Sequence, residues 1–259
     1  MIKTKGFAKN NYEELRKELL KIHNENNSYG YRRLTAEIRN RGYKANHKLV
    51  SRLMAEEKIT STRPNKKRSE EESTNTFNTY IPGFGKPGKD LLQRNFTAEH
   101  FGEKWGIDIS EISFGKEKCI YLTILIDLYN SEITGYSISE KPDLTAIMEA
   151  LLNAYKRHKH VKPIIHSDRG WFFCTDGYIR FLNSYGYTRS MTSTGSCYDN
   201  AVAESFFAQI KSELIYPTTW STLDELKKSI HRWIYYYNHT RIKKKLGYLS
   251  PVDYRLQNS

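Results

Sequence analysis

Two acidic residues and the segments that carry them constrain the fold of this chain more than any other feature. The apolar run 162–167 ends at Asp168 and predicts a short buried strand. Glu204, which 35 residues separate from Asp168, lies in the stretch 199–214, which has helical periodicity and contains neither glycine nor proline. A third acid, Asp108, lies upstream in an alternating, strand-like stretch. Two acids at strand ends and one on a helix can converge on one point, where three oxygen ligands suit Mg²⁺ or Mn²⁺ rather than a soft metal.

The spacing of these acids and the words around them resemble a known family. Asp108, Asp168 and Glu204 are similar to the DDE triad of transposases and retroviral integrases. The flanking words HSDRG, GSCYDNAVAESFFAQIKSEL and YYNHTRIKKKLGYLSP resemble the integrase-core protein (OrfB) of bacterial insertion sequences of the IS-three family. The resemblance covers nearly the whole chain from Tyr29 onward, with a variable gap in the middle.

The resemblance implies a ribonuclease-H-like fold of the retroviral integrase type. This is an α/β catalytic core with a mixed five-stranded sheet, preceded by a small all-α helix-turn-helix domain. Periodicity alone predicts three N-terminal helices and then the order βββ-α-β-α-β-α, which indicates only a mixed α/β protein. We expect three segments: a basic, helix-turn-helix-like DNA-binding segment over 1–60, a flexible linker over 61–99, and the catalytic core with a C-terminal helical extension over 100–259.

By the same resemblance the chain is a DNA transposase, which cuts the ends of an insertion sequence and joins the 3′-hydroxyl to DNA by direct transesterification. Such a transfer needs the nucleophile opposite the leaving oxygen and the phosphate charge neutralised, and two metal ions about 4 Å apart achieve both. The resemblance therefore implies two Mg²⁺ or Mn²⁺ ions per active site. Asp108 is expected to bridge both ions, Asp168 to bind one of them, and Glu204 to bind the other.

Three neighbours of these acids also have expected roles. His166 precedes Asp168 by two residues, and Asn200 lies at the start of the Glu204 helix. We expect both to support the metal ligands without binding metal themselves. Lys211 follows Glu204 by seven residues, which is two turns along one helix face, where a cation lies along DNA that reaches the site.

Asp127 is the rival of Asp108 for the first ligand position. It lies at the end of an apolar run, before a turn, where an acid is more often a turn residue than a ligand. Asp108 lies in the word WGIDIS, which resembles the family's W-x-T-D-I-T. We therefore expect Asp127 to be structural.

The net charge of +12 is concentrated at the N-terminus. Residues 1–68 hold 18 Lys or Arg against 7 Asp or Glu, so a basic arm precedes a nearly neutral remainder. Such an arm favours double-stranded DNA, here the terminal inverted repeats and the target, although a solvated lysine-rich surface is the alternative. Besides Lys211, the residues expected to contact DNA are Arg32, Arg33, Lys48 and Arg52 in the N-terminal segment and Lys243, Lys244 and Lys245 near the C-terminus.

Further partners and the compartment follow from the resemblance and the composition. We expect a homo-oligomer on DNA, and pairing or fusion with the product of an upstream reading frame (OrfA). Three widely spaced cysteines without a CxxC pair indicate a reducing compartment and argue against a zinc site. No stretch approaches the ~20 apolar residues that span a bilayer, and the N-terminus has no apolar signal region. We therefore expect no membrane partner and a cytoplasmic, nucleoid-associated bacterial protein.

Two other functions suit the same fold. A non-catalytic DNA-binding or regulatory protein derived from a transposase is the first, and the three intact acids argue against it. Another nuclease, such as a ribonuclease H or a resolvase, is the second, and it lacks the word DNAVAESFF and the preceding basic helices. The transposase hypothesis is preferred.

Overall fold

The computed structural model describes residues 9–61, 85–114, 118–193 and 201–258. These residues divide into two compact units. One comprises the described residues up to 61 together with 242–249, and the other comprises the described residues between 85 and 241 together with 250–258. Within these ranges, no helix is long and apolar enough to cross a membrane.

Three helices form most of the first unit: α1 (Lys9–Glu25), α2 (Tyr31–Asn40) and α3 (His47–Glu56). Their apolar faces meet in one core, in which Leu19, Leu34 and Val50 are fully buried. Asn46 sets the start of α3, because its side chain accepts the N–H of Leu49 at 2.8 Å. The three helices predicted from periodicity are therefore present, with ends that differ by one or two residues.

A segment from near the C-terminus completes the helical unit. Ile242 is buried in the helical core and donates its N–H to the Tyr29 hydroxyl at 3.0 Å. The Asn40 side chain donates to the Tyr248 carbonyl at 3.4 Å. We expected residues 242–249 in the catalytic core, but their apolar and polar contacts assign them to the helical unit.

The second unit contains a mixed five-stranded sheet in the order β3-β2-β1-β4-β5. Its strands are β1 (Lys104–Phe114), β2 (Lys118–Asp127), β3 (Ile133–Ser139), β4 (Ile164–Ser167) and β5 (Thr188–Met191). The β1–β2 and β2–β3 pairs are antiparallel, whereas the β1–β4 and β4–β5 pairs are parallel. This sheet confirms the expected ribonuclease-H-like fold class.

Helices cover both faces of the sheet. They are α4 (Leu144–Arg157), α5 (Asp176–Ser184), α6 (Ala201–Ile210), α7 (Leu223–His239) and α8 (Pro251–Gln257). α4 and α5 pack on the face that carries Trp105, Ile107 and Ile165. α6 and α7 pack on the opposite face, which carries Ile112 and Ile124. Alternate residues of β1 therefore point toward different pairs of helices.

The described part of the expected linker packs against the sheet. Leu91 donates its N–H to the Ser190 hydroxyl of β5 at 3.0 Å, and Leu92 is buried in a small apolar cluster. Residues 85–99 thus belong to the core unit rather than to a flexible linker. Residues 62–84, the rest of that segment, lie outside the described residues.

Candidate active site

Asp108 lies in β1, and Asp168 directly follows the neighbouring parallel strand β4. β1 and β4 pair Gly106 with His166, and each aspartate follows its member of this pair by two residues. The backbones of neighbouring strands lie about 4.8 Å apart, and side chains two residues apart share a face. Asp108 is also paired with Ile124 of β2, which lies on the face covered by α6. The sheet therefore places the Asp108 side chain on the face covered by α6.

The two oxygens of the Asp168 carboxylate have different surroundings. Oδ1 accepts the N–H of Gly170 at 2.8 Å. Oδ2 is buried and accepts no hydrogen bond from the described part of the chain. Burial raises the pKa of Asp168, and the hydrogen bond from Gly170 opposes this in part. A buried carboxylate oxygen without a donor is costly unless a proton or a cation satisfies it.

Asp108 and His166 are held by the sheet around them. Asp108 is buried, and its Oδ1 accepts the N–H of Ile109 at 2.8 Å. His166 is buried as well, with Nδ1 at 2.9 Å from the Ser190 hydroxyl and its ring edge-on to Phe96 at 5.6 Å between centroids. His166 thus links β4 to β5 two residues before Asp168.

Glu204 lies in the first turn of α6 and is exposed. Ala203 and Phe206 beside it are buried and fix which side of the helix turns toward the sheet. Among the described residues, no group of three or more His, Cys, Asp or Glu side chains could hold a metal ion. The described residues therefore do not show the three expected ligands as one cluster. Asn200 and the rest of 194–200, the segment before α6, lie outside the described residues.

Lys211 stands where α6 changes its winding. The α-helical part ends at Ile210, and a π-helical segment follows over Lys211–Ile215. Seven α-helical residues turn the chain by about 700°, within about 20° of two full turns. The spacing of Glu204 and Lys211 therefore still predicts that they lie along one side of the helix.

Asp127 has all of its oxygens occupied by the protein, as expected for a structural residue. Oδ2 accepts the N–H of Gly102 at 2.7 Å and the indole N–H of Trp105 at 2.8 Å. Oδ1 accepts the N–H of Tyr129 at 2.8 Å. Burial raises the pKa of Asp127 to about 6 in spite of these hydrogen bonds. The carboxylate holds the turn after β2 and is not placed to bind a metal ion.

The cations expected to contact DNA from α2 and α3 lie on the surface of the helical unit. Arg32 and Arg33 each place the guanidinium over a tyrosine ring, at 5.3 and 5.6 Å from the ring centroid. Lys48 and Arg52 are exposed on α3, where Arg52 Nε lies 3.6 Å from a Glu56 oxygen. Arg52 thus has a partner on its own helix, whereas Arg32 is held by an aromatic ring.

The helical unit contains a cleft of about 560 Å³, and only one of the three C-terminal lysines lines it. Arg32 and Arg39 of α2, His47 at the start of α3 and Lys244 line it, whereas the lysines on either side of Lys244 do not. Sequence reasoning missed Arg39 and His47. Arg39 follows Arg32 by seven residues, so helical spacing alone could have placed both on one side of α2.

Three family models match this chain. An integrase core domain matches residues 98–197, a second integrase core domain matches 204–258, and an HTH-like domain matches 11–67. A chain of the simian T-cell lymphotropic virus intasome, solved in complex with PP2A regulatory subunit B56 gamma, has a TM-score of 0.50 at 12% identity. The match covers 87% of this chain and 70% of that one, and it supports the fold alone. The class is therefore an integrase-core protein with an HTH-like domain in front.

Curated relatives define the family. The chain is 36% identical over 248 residues to the putative transposase InsK for insertion sequence element IS150 of Escherichia coli K12, which covers 95% of this chain and 84% of the relative. It is 40% identical over 185 residues to an uncharacterized transposase-like protein of Haemophilus influenzae, and this match covers 71% of this chain and 85% of the relative. The chain belongs to the IS-three family of insertion-sequence transposases, which are polynucleotidyl transferases built on an integrase core.

Proposed function

We propose that this transposase cuts the ends of its element and joins the 3′-hydroxyl ends to DNA by direct transesterification, with Mg²⁺ or Mn²⁺ held by Asp108, Asp168 and Glu204. The observation that carries the proposal is the buried Asp168 Oδ2, which accepts no hydrogen bond from the described residues and belongs to a residue that directly follows the strand paired with β1. Asp127 is buried too, yet three N–H groups satisfy it within 2.8 Å. The contrast between the two buried aspartates supports a ligand role for Asp168.

The residues present fit a hard divalent cation, because they offer carboxylate oxygens from two rigid strands and one helix. When bound, two such ions per site, as the resemblance implies, supply Lewis-acid activation of the attacking hydroxyl and stabilise the leaving oxygen. Asp108 contributes negative charge from within β1, Asp168 from the position directly after β4, and Glu204 from α6. Lys211, farther along the same side of the helix, neutralises a phosphate of the bound DNA.

The transfer replaces one phosphodiester by another. The 3′-oxygen of the element end forms a bond to the target phosphorus, and the target's own 3′-oxygen leaves and takes up the proton. One phosphorus–oxygen bond forms as one breaks, so the reaction needs no external energy source. The task of the protein is therefore to position the two DNA segments and the charges around the phosphate.

Duplex DNA is the proposed partner, as both the inverted ends of the element and the target. The HTH-like match and the basic residues on α2 and α3 support this assignment. We also propose that the protein acts as a homo-oligomer on DNA, since two element ends must be held together. Pairing or fusion with the product of an upstream reading frame supplies further recognition of the ends.

A non-catalytic DNA-binding descendant of a transposase is the second candidate. One observation favours it: the described residues contain no three-ligand group of His, Cys, Asp or Glu. Such a protein binds duplex DNA but yields no joined product in the presence of any divalent metal.

Strand transfer on a labelled, pre-processed end duplex separates the two candidates. We expect joined product with Mg²⁺ or Mn²⁺ and none with EDTA. Asp168→Asn and Glu204→Gln should reduce the product by at least about 10³-fold, since a lost metal ligand removes most of the electrostatic stabilisation of the transition state. Asp176→Asn, which changes an exposed acid of α5, is the matched control and should keep wild-type activity.

Each other result has a defined meaning. Joined product that persists in Glu204→Gln removes this residue from the ligand set. Product that persists in Asp168→Asn refutes the assignment of the site. DNA binding without any product, both alone and with the upstream product supplied, establishes the non-catalytic candidate.

A further inference from the structure

The segment 242–249 holds a fixed conformation within the helical unit, although the HTH-like match ends at residue 67. Lys243 and Leu249 form an antiparallel bridge, in which Lys243 donates its N–H to the Leu249 carbonyl at 3.0 Å. Gly247 takes the left-handed conformation, with φ at 65°, which allows the tight return of the chain. Lys244 therefore projects from an anchored loop.

Three cations from distant parts of the sequence line one cleft of the helical unit. Arg32 and Arg39 come from α2, and Lys244 comes from the anchored loop. The Arg32 guanidinium lies over the Tyr31 ring at 5.3 Å, and Arg39 Nε donates to the Ala45 carbonyl at 2.8 Å. These contacts hold both guanidinium groups in place. None of the described residues that line the cleft is acidic.

Five glutamates of the helical unit form ion pairs with arginines outside the cleft. Arg41 forms ion pairs with three glutamates of α1 and α2. Arg16 forms ion pairs with the two glutamates at the end of α3. In the described part of the chain, no salt bridge joins an acid to Arg32, Arg39 or Lys244. The cleft therefore keeps a positive potential.

The start of α3 adds to this potential. His47, the first residue of this ten-residue helix, lines the cleft beside the cations. The first N–H groups of a helix lack partners within the helix, and the helix dipole places partial positive charge there. The Asn46 side chain satisfies the N–H of Leu49. The start of α3 therefore adds partial positive charge beside the cleft, which favours an anion.

We infer that this cleft binds the phosphodiester backbone of duplex DNA, and that residues 242–249 are therefore part of the DNA-binding surface. Arg32, Arg39 and Lys244 each contact phosphate oxygens. Three separated cations and a helix start along one cleft suit a polyanion with regularly spaced charges better than a single small anion. The inference rests on the proposed function in that duplex DNA is taken as the partner.

The test measures binding of the full chain to a short fluorescein-labelled DNA duplex of random sequence, by anisotropy, over a series of salt concentrations. Each lost phosphate contact reduces the magnitude of the negative slope of log K against log salt by about 0.9. We expect this loss for Arg32→Ala, Arg39→Ala and Lys244→Ala. Lys21→Ala, which removes an exposed lysine of α1 away from the cleft, is the control and should match the wild type.

The neighbouring lysine sharpens the test. Lys244 and Lys245 are both exposed and carry the same charge, but only Lys244 lines the cleft. Lys244→Glu should therefore weaken duplex binding more than Lys245→Glu. Equal effects of the two substitutions, an unchanged slope in Lys244→Ala, or tighter binding of a duplex RNA probe than of DNA would each overturn the inference.

Failure of the inference is distinguishable from failure of the proposed function. If the wild type joins DNA ends but Lys244→Ala leaves the salt dependence of duplex binding unchanged, the proposed function stands and the inference about the cleft is refuted. A chain with the expected slopes but no joined product, even with the upstream product supplied, keeps the cleft and refutes the catalytic proposal. A wild-type chain that binds no duplex at low salt overturns the cleft outright.

Discussion

The buried carboxylate of Asp127 makes the stability of the core unit depend on pH. The pKa of Asp127 in the folded chain is about 6, above the ordinary value of 3.8. The folded chain therefore binds this proton more tightly than the unfolded chain, and its contribution to stability is lost as the pH rises. The difference between the two pKa values corresponds to about 3 kcal/mol in the free energy of unfolding, at about 1.36 kcal/mol for each pKa unit. About 2 kcal/mol of this stability is lost between about pH 4.5 and about pH 7.5.

The measurement compares urea unfolding of the wild type and Asp127→Asn across this range. All four tryptophans lie in the core unit, so their fluorescence reports on its unfolding. Asparagine removes the titration. It also replaces one acceptor oxygen by an NH₂ group that meets N–H donors, which costs about 1–3 kcal/mol at every pH. We therefore expect the wild type to be more stable at the acidic end. This advantage should shrink by about 2 kcal/mol toward neutral pH.

A second substitution checks the cause. Trp105→Phe removes the indole N–H that donates to Asp127 Oδ2, a bond that lowers the pKa of this carboxyl. The loss of stability should then extend to higher pH. A difference between wild type and Asp127→Asn that stays constant within about 0.5 kcal/mol, or that grows with pH, would refute the reasoning.

Two further predictions concern packing in the core unit, and urea unfolding measures both. Arg241 is buried and donates to both oxygens of Glu213, so Arg241→Met should destabilise the unit by about 3–5 kcal/mol, and adding Glu213→Leu should recover most of this loss. A Cβ at Gly135 would lie 2.4 Å from the Ala150 carbonyl oxygen, whereas the nearest contact at Gly106 is 3.4 Å. Gly135→Ala should therefore cost about 1–3 kcal/mol and Gly106→Ala less, and equal costs would contradict this account.

Much of the core fold could be predicted because its elements carry their own local signals. Asp143 at the start of α4 is an example, since the sequence indicates a cap and its side chain accepts the Ala146 N–H at 2.7 Å. The length of β1 could not be predicted in the same way. It continues to Phe114 because β2 pairs with it along its whole length, and Lys118 completes that pairing. Partner strands, and not the local alternation, decide where this strand ends.

The candidate site, like the fold, has features that the sequence predicts and features that it does not. Asp108 and Asp168 can be selected as candidates from the words around them, and the parallel pairing of β1 with β4 brings the segments that carry them side by side. The unsatisfied Asp168 oxygen could not be found, because it depends on which donors the folded chain leaves out of reach. Spacing alone also does not determine whether Glu204 lies close enough to the two aspartates to share a metal ion with them. That distance depends on how α6 packs and on the segment before it.

The lysine run near the C-terminus shows why charge in a sequence does not identify a contact. Lys243, Lys244 and Lys245 are equivalent by composition, and only the backbone of the loop distinguishes them. That backbone is held by residues about two hundred positions away, because Ile242 bonds to Tyr29 and packs in the helical core. The strength of these contacts therefore determines whether Lys244 faces the cleft. For this reason the helices of the HTH-like segment and residues 242–249 line one cleft, although nothing in either segment alone predicts the other.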